Sequence, residues 1–338
     1  MGRILKSLIL AALAVLAISS CTTSQKRRVL MQNISGKAGE VIVVINGTDW
    51  NGPLGTELRD NLGAACSYLP NKEPLYALVN VPPTAFTNLF KLHRNIIYFN
   101  VNGEVKKEGV EYMKDVWAQP QCVMRINAKT PEGALEALRT DMNRIFSTLE
   151  VAERNRIISN AKHYEETGVR PAVADIFGGS PYFPSGFTLK KRTADFAWVS
   201  YETTPVQQGI FVWRYPTDGL VDPFSLESLV SKRNEVLQAN VPGMYDGTYM
   251  TTATSSMEPE IDYIRYKDFH FAEIRGWWEV YNDFMGGPFF SHSFYSPDGK
   301  YIVTVDGYVY APKYDKRQYL RQVEALVYSF EWSQPKKD

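Results

Sequence analysis

Hydrophobic residues along this chain follow two spacings, and the change from one to the other divides it. In the first half, continuous β-branched runs alternate with stretches where leucines recur every three or four residues. Val41–Ile45 is an unbroken apolar run, as expected of a strand buried on both faces. Leu54, Leu58 and Leu62 then share one helical face. Leu75–Val81, Ile96–Val101 and Cys122–Ile126 read as further strands, with a short helix carrying Phe86, Leu89 and Phe90. Thr130-Pro131 opens a long helix, since proline is tolerated in the first turn. Leu135, Leu138, Met142, Ile145 and Leu149 continue it until the pattern fades towards Gly168 and Pro171.

Ile176–Phe187 has no period and is rich in glycine, proline and aromatics, which marks it as the joint between halves and as a packed loop. Beyond it the spacing is that of strands. Phe187–Arg192, Phe196–Tyr201 and Gly209–Tyr215 are bounded by turn residues, as are Thr248–Thr254, Ile261–Tyr266, His270–Asn282, Pro288–Tyr295 and Tyr301–Ala311. One helix interrupts them, with Ser225 as N-cap and Leu226, Leu229, Val230 and Leu237 on its apolar side. A last helix carries Leu320, Val323, Val327 and Phe330, with Asp315 and Gln318 at capping-box spacing. The pattern predicts an α+β protein: an α/β half over 34–172, then an antiparallel sheet with covering helices over 173–338.

The first twenty residues follow a different rule. Arg3 and Lys6 precede the apolar run Leu8–Ile18, which is short for a membrane span of about 20 residues. Such a run, ending in small residues, is a secretory signal. Ile18-Ser19-Ser20-Cys21 resembles the lipobox of bacterial lipoproteins, so residues 1–20 are expected to be removed and Cys21 to carry lipid. Residues 21–33 then act as a tether. Thr22 is not the aspartate of an inner-membrane retention signal, and Lys26-Arg27-Arg28 is not the acidic cluster of exported surface lipoproteins. The resemblance therefore implies the periplasmic face of the outer membrane.

Composition narrows function without naming it. Lys+Arg and Asp+Glu are both 37, so nothing recommends nucleic acid as a partner. Cys66 and Cys122 are the cysteines beyond Cys21; they lack metal or redox spacing, and a disulfide between them and an inert buried pair remain equally open. The glycines match neither G-x-G-x-x-G nor a Walker A loop, and no cofactor is implied.

Two stretches could hold a ligand. Asp49, Trp50 and Asn51 follow the first strand, where ligands gather in open α/β sheets, although turn chemistry alone also favours these residues. Alternation along His270–Asn282 places Arg275, Trp277 and Glu279 on one face and Trp278 on the other, beside His292 and a Gly286-Gly287-Pro288 turn. Cross-strand aromatic packing explains that pattern equally well. No G-x-S-x-G or His-Glu-x-x-His motif supports hydrolysis.

The lipobox, Gly36–Ile45, Arg275–Glu279 and Gly286–Phe289 together resemble an uncharacterised domain-of-unknown-function family of Bacteroidota lipoproteins. The close of the chain, Tyr301–Phe330, is similar to PsbP-like domains. The resemblance implies an envelope address and transfers no catalytic residue. The expectation is a non-catalytic envelope lipoprotein, anchored to the membrane by its lipid, that binds a glycan, peptide or protein. The alternative is a hydrolase of envelope glycan or peptide using His292 and nearby carboxylates.

Overall fold

The computed structural model describes residues 31–333 apart from Ser67, Ser256 and Asp268, and Cys21 with the signal-like segment lies outside the described residues. The main strands of the first half are β1 (Glu40–Val44), β2 (Ala77–Val81), β3 (Asn95–Val101), β4 (Gly109–Lys114) and β5 (Cys122–Ala128), in the order β2-β1-β3-β5-β4. All pair in parallel except β4, which joins β5 antiparallel at the edge. The helices of this half are α1 (Gly47–Asn51), α2 (Pro53–Asn61), α3 (Asn88–Lys91) and α4 (Pro131–His163). Thr130 caps α4, its hydroxyl accepting the Gly133 N–H at 3.2 Å. The predicted stripe Leu138, Met142, Ile145 and Leu149 is buried against Val41, Ile97, Met124 and Ile126. Burying each such side chain contributes about 1.5–3 kcal/mol. Strand β4 carried no apolar signal because its GVEYMK edge position is half-exposed on both faces.

The second half begins with α5 (Val169–Phe177), which the fading pattern concealed: Val169, Val173 and Phe177 are buried four residues apart. There follow β6 (Gly179–Ser180), β7 (Thr188–Arg192), β8 (Phe196–Glu202), β9 (Gln207–Pro216), α6 (Leu226–Asn240), β10 (Met250–Thr252), β11 (Glu260–Tyr266), β12 (Phe269–Val280), β13 (Gly286–Tyr295), β14 (Tyr301–Tyr310), α7 (Arg317–Tyr328) and β15 (Glu331–Trp332). The main sheet is antiparallel, in the order β10-β12-β13-β14-β9-β8-β7, with β11 pairing to the first part of β12. Helix α6 covers one face through Leu229, Val230 and Leu237, packed on Phe211, Trp213, Trp278 and Phe289. Helix α7 covers the other through Leu320, Val323 and Val327, packed on Ile210, Val212, Phe290 and Val305. Gly307 permits this close approach, since a Cβ there would run into Val323. The α+β class, with an α/β half followed by a covered antiparallel sheet, is as the pattern indicated.

Three features add detail to that pattern. The Ile176–Phe187 stretch is packed loop, but its start completes α5, and Gly179–Ser180 pairs with Glu331–Trp332. Helix α4 links the two halves, contributing Leu138 and Leu149 to one core and Ala161 to the next. Cys66 and Cys122 are free buried thiols, each packed in a different core, so no disulfide joins them.

Candidate functional site

The pleat of β12 places Glu273, Arg275 and Trp277 on the face covered by α7, and Trp278 on the face covered by α6. Trp278 is 1% exposed, whereas Trp277 is half-buried at the margin of the α7 core. His292 of β13 lies directly opposite Glu273 in the register. The Glu273 carboxylate accepts from His292 Nε2 at 3.0 Å, from the Tyr328 hydroxyl at 2.6 Å and from Arg275 at 3.0 Å. Burial alone would raise its pKa, but the His292 bond and the Arg275 charge win and hold it at about 2. Burial lowers the pKa of His292 despite Glu273, so the imidazole is neutral at pH 7. Its ring stacks on Phe271 at 3.8 Å between centroids.

The same face continues as an alternation of charges. Arg275 reaches Glu324 of α7, Glu324 meets Arg317 at 3.5 Å, and Glu150 of α4 accepts from Arg317 at 3.2 Å and Arg321 at 3.0 Å. Tyr76 also donates to Glu150, at 2.7 Å. Burial opposes ionisation of Glu150, yet Arg321 and Arg317 bring its pKa down to about 2. Three carboxylates and three guanidiniums are thus matched within the interior. Such a network roughly breaks even against apolar packing, but removing one member costs about 3–5 kcal/mol.

This arrangement revises the groove expected along β12. Arg275 and His292 are brought together through Glu273, but α7 lies over them. The void beside His292 is only about 40 Å³, too small for a substrate. Glu279 stands at the β10–β12 pairing, opposite Thr251, away from that cluster.

Asp49, Trp50 and Asn51 form α1 itself. Asn46 caps it, its side chain accepting the Asp49 N–H at 2.9 Å and donating to the Asp49 carboxylate at 2.7 Å. Trp50 packs on the first core beneath Arg59, whose guanidinium carbon sits 4.9 Å from the ring. Local capping and packing therefore account for Asp49 and Trp50, while Asn51 is exposed at the end of α1.

Space for a ligand lies instead on either side of α4. One cleft, about 640 Å³, opens between the last turns of α4, α7 and the loop before β7. Its floor is Glu153, 1% exposed, which accepts from Asn95 at 2.7 Å, Arg156 at 3.1 Å and the Gly39 N–H at 3.4 Å, and pairs with Arg94 at 3.4 Å. Arg156 is fully engaged, donating also to the Pro120 and Arg94 carbonyls. Arg94 is not: its Nε is buried without a hydrogen-bond partner among the described residues. Asn160, Tyr164, Tyr201 and Gln322 stand around this floor. The second cleft, also about 640 Å³, runs between α4 and the edge strand β4, with Tyr112, Arg144, Thr148, Val151 and Asn155 on its walls. Neither contains a residue singled out from sequence as a ligand contact, because Arg94 lies in the bend before β3 and Glu153 and Asn160 at ordinary positions of α4, far apart in sequence. Among the described residues no three His, Cys, Asp or Glu side chains are placed to hold a metal.

Comparison with the curated proteins gives no match. Among solved structures, the Saccharomyces cerevisiae Ran-binding protein Mog1p is similar over 46% of this chain and 90% of its own, at 10% identity and TM-score 0.31. A Mog1 E65A mutant gives 12% identity and TM-score 0.29 with the same coverage. The human StarD13 lipid transfer and protein localization domain covers 43% of this chain and 89% of its own, at 9% identity and TM-score 0.17. At these scores the likenesses carry no argument. Family models match nearly all of the described chain: a domain of unknown function, DUF8532, over 34–162, and a second, DUF4837, over 167–329. By these matches the chain is similar to two domains of unknown function in series, DUF8532 followed by DUF4837.

Proposed function

We propose that this protein is a cell-envelope lipoprotein whose folded part is a non-catalytic binding module, with its ligand in the cleft between α4 and α7. One contrast carries the reading. The His292–Glu273–Tyr328 cluster, which has the residue types of acid–base chemistry, is sealed beside a 40 Å³ void, whereas the accessible 640 Å³ cleft holds hydrogen-bonding groups over a saturated carboxylate. A general acid or base must come within hydrogen-bond reach of its substrate. Ligand sites are typically about 300–1,000 Å³ with a few convergent polar groups. The cleft meets the second description.

The address rests on the sequence before the folded part: the signal-like run, the lipobox-like Ile18–Cys21 and the resemblance to Bacteroidota lipoproteins. No helix of the described residues is long and apolar enough to cross a membrane. In this reading two or more acyl chains on Cys21 hold the protein on the periplasmic face of the outer membrane. The occupant of the cleft belongs to the envelope, as glycan, peptide, lipid or a protein segment.

Mass spectrometry of the full chain purified gently from cells tests the binding reading. A co-purifying molecule is expected with the wild type and not with Asn160→Trp, which fills the cleft from an exposed helical position. Equal recovery from both chains contradicts the site.

A further inference from the structure

The chemistry of the cleft specifies its ligand more closely, on the basis of the binding reading above. Its lining contains one carboxylate among the described residues, Glu153, and that carboxylate is already bonded to Asn95, Arg156, Arg94 and the Gly39 amide. Two guanidiniums against one carboxylate leave the floor positive. Arg156 spends its donors on Glu153, Asn95 and the Pro120 and Arg94 carbonyls. The Arg94 side chain has one polar contact, the 3.4 Å pair with Glu153, and its exposed part lines the cleft with no hydrogen bond to another described residue. A guanidinium with spare N–H donors favours a charged acceptor. Gln322 accepts from Gln208 at 3.0 Å, and its amide N–H groups make no bond among the described residues. Ile157, Phe187 and Leu326 supply apolar lining beside these donors.

We infer that the cleft binds an anionic amphiphile, with a carboxylate or phosphate head on Arg94 and an apolar body along Ile157, Phe187 and Leu326. The head meets the exposed part of the Arg94 guanidinium through charge-assisted hydrogen bonds, in a half-enclosed site where charges are weakly screened. The volume, about 640 Å³, admits a body well beyond a bare ion.

The test is calorimetric titration of the full chain in a nonionic detergent with hexyl phosphate, hexanoate, hexan-1-ol, hexylamine and inorganic phosphate. Saturable binding of hexyl phosphate, hexanoate or both is expected, and the stronger of the two identifies the head group. Arg94→Ala should weaken it by about tenfold or more, the scale of one charge-assisted bond, and Asn160→Trp should abolish it. Arg94→Gln, which keeps a polar side chain, provides the same reading if the alanine variant does not fold. Binding of hexan-1-ol or inorganic phosphate as tight as that of hexyl phosphate overturns the inference, as does unchanged binding in both Arg94 variants. Hexylamine binding that Asn160→Trp abolishes would overturn the anion assignment while leaving the cleft as a binding site. If no probe binds and no co-purifying molecule distinguishes Asn160→Trp from wild type, the binding reading falls as well.

Discussion

Glu73, in the loop before β2, caps the helix α7 that begins at Arg317, 244 residues further along the chain. One carboxylate oxygen accepts the Lys316 N–H at 2.8 Å and the other the Arg317 N–H at 2.6 Å. Helix N-termini leave several backbone N–H groups without partners, and an anion there also favours the helix dipole. Asp315, the cap expected from local spacing, makes no such bond; Lys316 occupies the cap position with no side-chain contribution. Glu73→Ala is predicted to destabilise the protein by about 2–3 kcal/mol, because Glu73 is buried and two donors lose their acceptor. Asp315→Ala should change stability by less than about 0.5 kcal/mol. Urea melts of the two variants check both values.

The same geometry bears on whether the halves fold apart. Fragments 30–172 and 180–335 follow the boundary read from the sequence. Separation strips Glu73 and Glu150 from α7 and leaves Arg317 and Arg321, 3% and 2% exposed, with fewer partners. Both fragments are therefore predicted to be insoluble or to lack a cooperative transition when expressed alone, beside a whole chain with one melt. A sharp melt from either fragment alone would show that the inter-half bonds are dispensable.

Acid should act on the buried network in two stages. The His292 pKa is lowered in the fold, so the unfolded chain takes up that proton more readily and stability begins to fall below about pH 6.5. Glu273 and Glu150 are depressed to about 2, so their contribution is present above about pH 4.5 and is lost as pH falls towards 2. For each buried carboxylate the contribution is on the order of 3 kcal/mol. Glu150→Gln should thus lower the melting temperature clearly at pH 7, and the gap to wild type should narrow below pH 4.5. A gap that stays constant from pH 7 to pH 3 would contradict the assignment.

The adjacent tryptophans of β12 should separate in stability. Trp278 is enclosed by the α6 core and donates Nε1–H to the Val309 carbonyl at 3.2 Å, so Trp278→Ala should cost about 3–5 kcal/mol. Trp277, half-buried, should cost about half as much or less. Equal losses in thermal melts would contradict the face assignment.

That assignment was legible because a two-residue period needs no tertiary information, and the long α4 stripe was legible for the same reason. What escaped was set by distant partners. Helix α7 takes its cap from Glu73, a residue with no local signature, so the nearby Asp315 was favoured instead. Arg275 and His292 looked like surface chemistry because sequence cannot reveal that α7 covers them with Glu324 and Tyr328. Edge strand β4 lacks alternation because neither of its faces is fully buried. The cleft is assembled from Arg94 after α3, Glu153 and Asn160 on α4, and Gln322 on α7, and no spacing rule links those positions.

The binding reading is tested most directly in cells, by placing a photo-crosslinking side chain at Asn160 on the cleft wall and, in a second chain, at the exposed Leu89 far along the sequence. Irradiation of the full chain in its native envelope should yield a discrete adduct from position 160, absent from position 89. Addition of the probe that binds best in titration should compete it away. Identical labelling from the two positions, or a position-160 adduct indifferent to the competitor, would contradict a ligand site between α4 and α7.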